Sequence, residues 1–101
     1  MITINDKNYE FKYSLRAMFA WESIADKPFE IRTLLDTYIL AYSCLISNQD
    51  NPPIEFETFI DFCDSHPETI DEFNKYLAQE LKKREIVGSK KKVTRKVKNS
   101  Q

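Results

Sequence analysis

A chain of 101 residues, 42% hydrophobic and 13% aromatic, has room for one domain and material for one core; at this size about two-thirds of the unfolded surface is buried on folding. One glycine and four prolines exclude a collagen-like or low-complexity protein. The net charge of −1 is divided: residues 1–81 carry 15 acidic and 6 basic side chains, residues 82–101 carry 1 acidic and 9 basic, so an acidic body precedes a basic end.

The first 13 residues alternate, with Ile2 and Ile4 on one face and Tyr9, Phe11 and Tyr13 following the polar run Asn5-Asp6-Lys7-Asn8. That pattern predicts a β-hairpin, which alone is marginal in water and must lie against helices or offer an edge to a partner. No basic start and apolar run follow Met1, so no targeting segment is expected. Ser14 is suited to cap a helix over Leu15–Ala25. This helix has two apolar sides, Leu15, Met18 and Phe19 on one and Ala17, Trp21 and Ile24 roughly opposite. Burial between the hairpin and a following helix accounts for two such sides. The alternative assigns Ala17, Trp21 and Ile24 to a partner surface, since tryptophan is a frequent interface anchor.

Asp26-Lys27-Pro28-Phe29 breaks the chain, because the residue before proline avoids helical geometry. Glu30–Asn48 then reads as one long amphipathic helix, the scaffold of the domain. Ile31, Leu34, Leu35, Tyr38, Ile39, Tyr42, Leu45 and Ile46 form its predicted core stripe, while Arg32, Thr33, Asp36, Ser43 and Ser47 are assigned to water. Leu40 and Cys44 lie off that stripe. Arg32 and Asp36 interrupt the segment and argue against a membrane span. A polar loop, Asn48 to Pro53, leads to a short helix over Glu55–Asp64 with Phe56, Phe59, Ile60 and Cys63 inward. Pro67 suits the first position of a last helix reaching about Val87, burying Ile70, Phe73, Leu77 and Leu81, with Gly88 as its expected terminator. The fold class expected is therefore α+β and mainly helical: an N-terminal hairpin and about four helices around a long central one. Residues 1–88 make the folded domain, and 89–101 a basic, disordered tail.

Little in the chain assembles into reactive chemistry. His66 is the only histidine and suits a capping or exposed role, with no nucleophile spaced around it. Asp61, Asp64, Glu68, Asp71 and Glu72 read as a solvated acidic face, since the calcium-loop spacing and a second histidine are missing. Cys44 and Cys63, 19 residues apart, read as buried reduced thiols. One glycine cannot build a phosphate loop. No catalytic residue, metal site or cofactor is expected. Lys90, Lys91, Lys92, Arg95, Lys96 and Lys98 are the remaining signal, a candidate run for docking phosphate or a protein partner. The run lacks interleaved aromatics, and the acidic body repels nucleic acid.

The order Ile2-Thr3-Ile4, Tyr9 to Ser14, Trp21-Glu22, Pro28-Phe29, Tyr38 to Tyr42, then Phe56 to Asp64 before Pro67 resembles the small tail assembly chaperones of long-tailed phages and prophages. The similarity covers about residues 1–80 and carries no catalytic signature. It implies a small, mostly helical, non-enzymatic protein of the host cytoplasm, absent from the mature virion. Its implied partners are the tape measure protein, which it coats, and tail-tube subunits, which it helps recruit. A homo-oligomer is compatible with this; a membrane is not expected. The resemblance also implies a longer frameshifted form, for which an A-rich run encoding Lys90-Lys91-Lys92 is a candidate site. The alternative function is a small nucleic-acid-associated regulator gripping phosphate with its basic tail.

Overall fold

The computed structural model describes the backbone of residues 1–99 and the side-chain surroundings of residues 1–84. Strands β1 (Ile2–Ile4) and β2 (Lys7–Tyr9) pair antiparallel in the register Ile2↔Tyr9, Thr3↔Asn8 and Ile4↔Lys7. The turn is only Asn5-Asp6, both left-handed at φ 52° and 66°, the geometry whose twist matches a two-residue hairpin. Ile2, Ile4 and Tyr9 are buried, and Thr3 Oγ1 donates across the hairpin to Asn8 Oδ1 at 2.9 Å.

Helix α1 spans Leu15–Ala25, within the expected bounds. Ser14 Oγ accepts from the Ala17 N–H at 3.2 Å, and Asp26 ends the helix in the left-handed conformation, φ 58°. The first large difference from the sequence reading is helix α2, which spans Leu34–Ile46 and not Glu30–Asn48. Its start is set by a capping box: the Thr33 hydroxyl accepts from the Asp36 N–H, and the Asp36 carboxylate accepts from Thr33 N–H at 3.2 Å and Arg32 N–H at 3.0 Å. Residues 30–32 therefore stay outside the helix.

The second difference is the rotation of α2. Asp36, Ser43 and Ser47, assigned to water, are buried, together with Leu40 and Cys44, placed off the stripe. Leu34 and Leu35, placed in the core, are 75% and 58% exposed. Each inward polar group is satisfied. Ser43 Oγ donates to Ile39 O at 2.7 Å, Ser47 Oγ to Lys12 O at 3.5 Å, and Lys27 Nζ reaches Asp36 Oδ1 at 3.2 Å. The Trp21 indole N–H donates to Asp36 O at 2.9 Å, joining α1 to α2. Phe29 closes over Trp21 edge-on, centroids 5.2 Å apart, as the break after α1 leads back across the core.

The loop after α2 is more than a solvated connection. Asn51 Nδ2 donates to Glu10 O and Leu45 O at 2.8 and 2.9 Å while its Oδ1 accepts from Glu10 N–H at 3.0 Å, stapling the end of α2 to the exit of the hairpin. Helix α3 spans Phe56–Ser65, burying Phe59 and Cys63 as expected. Tyr42 meets Phe56 edge-on at 5.2 Å and donates its hydroxyl to Ile54 O at 2.7 Å. Helix α4 spans Glu68–Asn99 and passes through Gly88, the expected terminator; a glycine inside a helix costs about 1 kcal/mol, too little to stop one alone. Phe73 is fully buried, whereas Leu81, expected in the core, is exposed. The Tyr76 hydroxyl accepts from the Tyr13 N–H at 2.7 Å, and Arg84 lies 5.0 Å over the Tyr13 ring and donates to Tyr13 O at 3.2 Å. The expected tail, 89–101, falls among residues whose side chains lie outside the described ones.

Two outcomes follow from this packing. Leu40→Ala should lower stability by about 2–5 kcal/mol, while Leu35→Ala should change it by about 0.5 kcal/mol or less; paired urea melts measure both. The Arg32 N–H bond, with Lys27 and the Thr33 N–H, holds the Asp36 carboxyl below its usual range against the opposing effect of burial. Because the folded value is lowered, the stability from this group is fully present above the ordinary carboxylate value of about 4 and lost as pH falls through the lowered one. Thermal melts over that range should show Asp36→Asn less stable than the parent at neutral pH, with the two curves converging in acid.

Candidate docking surface

The sequence-derived partner residues fall on two different sides of the fold. Ala17 and Trp21 are fully buried, so burial between layers and not partner contact is what the α1 inner face does. Ile24 alone of the three is exposed. The correction has a simple cause: an indole whose N–H has a buried carbonyl to bond is as suited to a core as to an interface. The side of α1 left in solvent is the other one, with Leu15 and Phe19, the latter 63% exposed. Beside them a groove of about 590 Å³ is lined mainly by polar residues, among them Lys12, Arg16, Asn48 and Asp50. Lys90, Lys91, Lys92, Arg95, Lys96 and Lys98 lie on the last part of α4, where side chains are outside the described residues.

A more apolar groove, about 390 Å³, lies between α2 and α3 and is lined by Leu34, Leu35, Tyr38, Phe56, Ile60, Cys63 and Asp64. Leu34 and Leu35 rim it, and Ile31, also exposed, precedes them at the entry to α2. The groove exists because the capping box and the buried Asp36 turn the first turn of α2 outward, leaving two leucines with no neighbour large enough to cover them. Burial, then Cys63, Asp64 and Asp71, pushes the Tyr38 phenol up, and Asp64 is itself one of the groove's lining residues. Apolar walls with an acidic margin suit docking more than chemistry.

The other titratable groups have structural surroundings. His66, expected to cap or stand exposed, ends α3, its ring stacked on Phe62 at 4.2 Å and Nδ1 3.1 Å from Phe62 O. Among the described residues no group of three or more His, Cys, Asp or Glu is placed to hold a metal ion. Nor, among them, is any helix long and apolar enough to cross a membrane. Cys44 and Cys63 are free and buried, and burial pushes their thiols up to about 12 and about 11, respectively, Cys63 aided by Asp64. Comparison with protein families, with characterised proteins and with solved structures yields no match.

Both thiols should resist a disulfide reagent at about pH 8 in the folded protein and react rapidly once denatured, because thiolate is the attacking form. Of the two, Cys63 should react first. Timed absorbance with and without denaturant measures this.

Proposed function

We propose that this chain is a non-enzymatic tail assembly chaperone that binds a tape measure protein and assists phage tail assembly through protein–protein contacts. The observation that carries the reading is Leu34 and Leu35 standing in solvent at the rim of an apolar groove, with Ile31 exposed just before them in the chain. A tape measure protein is long and helical, and before it is packed inside a tube its apolar stripe must be shielded from its own copies. A groove between two helices with protruding leucines receives such a stripe in the manner of other helix-in-groove complexes. The mostly helical architecture is of the kind the resemblance implies, and the acidic body would keep a chaperone–client complex soluble. The work is expected in the host cytoplasm, before the virion matures.

Co-expression with the tape measure protein encoded nearby, followed by affinity capture on this chain, should yield a soluble complex and raise the soluble yield of the client. The rival regulator reading makes the opposite demand. No co-purification, together with tight, salt-sensitive DNA binding lost when Lys90, Lys91, Lys92, Arg95, Lys96 and Lys98 are all changed to glutamine, would replace the proposal.

A further inference from the structure

The charge distribution around the groove specifies more than an apolar occupant. From Thr33 to Asn74 the chain contains no lysine or arginine, while Asp36, Asp50, Glu55, Glu57, Asp61, Asp64, Glu68, Asp71 and Glu72 are all acidic. Both groove walls, α2 and α3, and the first turns of α4 fall inside that stretch. Of its carboxylates, Asp36 is buried and already paired with Lys27. Glu57, Asp61 and Asp64 on α3, with Glu68, Asp71 and Glu72 on α4, are exposed, and no described salt bridge involves any of them. Asp64 itself lines the groove.

We propose that the α2–α3 groove takes an amphipathic helix whose apolar stripe is flanked by lysine and arginine, the leucine-sized side chains seating against Leu34, Leu35 and Ile60 and the cations reaching Asp61 and Asp64. This deepens the chaperone reading and rests on it for the biological source of the helix. The chemistry follows from the walls. The apolar contacts supply most of the affinity, as unpartnered leucines lose water only when covered. The carboxylates speed encounter and select against acidic helices, since a like-charged flank brought into the margin is repelled. As one continuous helix, α4 carries residues 89–99 about 30 Å or more along its axis from its first turn, at about 1.5 Å per residue.

Two synthetic helical peptides test the assignment on the full-length protein. They share one leucine stripe at i, i+3, i+4 and i+7, and differ in carrying lysine or glutamate on both flanks. Fluorescence anisotropy should show binding of the lysine peptide, at least about tenfold tighter than the glutamate peptide at low salt, with that gap narrowing as salt rises. Leu35→Asp should weaken the lysine peptide by about tenfold or more. The pair Asp61→Asn and Asp64→Asn should weaken it severalfold, and Phe19→Asp, on the far side of α1, should leave it unchanged. All these side chains are exposed, so circular dichroism should show each variant folded. Equal affinity for the two peptides, indifference to Leu35→Asp, or loss through Phe19→Asp would overturn the assignment. So would a wild-type dimer, seen by sedimentation without peptide, that Leu35→Asp dissolves, for then a second copy fills the groove. The two readings separate in the capture experiment. A tape measure protein held equally by the parent and Leu35→Asp leaves the chaperone and removes the groove, whereas lysine-peptide binding with no capture does the reverse.

Discussion

Asp36 is the residue on which the arrangement of helices depends. Its carboxylate gathers two backbone N–H groups and the Lys27 ammonium, and its carbonyl takes the Trp21 indole N–H. One residue thus starts α2, sets which side of α2 faces inward and fixes α1 against it. A carboxylate only 2% exposed is costly unless paired and hydrogen-bonded; here both conditions are met, so the buried charge orients the helix without leaving a polar group unsatisfied. Everything outward follows from that rotation, including the exposure of Leu34 and Leu35. The groove is the counterpart of the cap.

Much of the fold was legible in the sequence because local signals agreed with each other. The alternation around Asn5-Asp6, the Ser14 cap, the Pro28 break and the Phe59/Cys63 spacing each led to an element within a residue or two of its place. The rotation of α2 was not legible. Its hydrophobic residues surround nearly the whole helix, so periodicity could be fitted in more than one phase, and polarity then chose the wrong one. Asp36, Ser43 and Ser47 look like a wet face by residue type, yet each finds its partner inside the protein. The one local hint was the Thr33–Asp36 spacing of a capping box, with aspartate where glutamate or glutamine is usual. The role of Asn51 is hidden in another way, because two of its three bonds reach Glu10, 41 residues away in the chain.

The candidate site inverted the sequence reading for the same reason. Trp21 drew attention as a bulky aromatic on a short helix with two apolar sides, and it is core; Leu34 and Leu35, taken for core, are the surface. An apolar residue's type says that it resists water, and which neighbour relieves it is decided by tertiary packing. The lysine-free stretch from Thr33 to Asn74, in contrast, was readable from the start. Its meaning needed the fold, which brings α2 and α3 together around one groove.

Among the described residues three hold left-handed backbone, Asn5, Asp6 and Asp26, and none of them is glycine. Asparagine and aspartate tolerate that region better than other side chains, though less readily than glycine does. The difference works on the unfolded chain as well. Glycine at these turns would relax the native backbone but multiply the conformations open to the denatured protein, whereas a side chain withholds them. With a single glycine in 101 residues, the chain is stiff before it folds. Part of what keeps so small a core intact therefore resides in a denatured ensemble with fewer places to go.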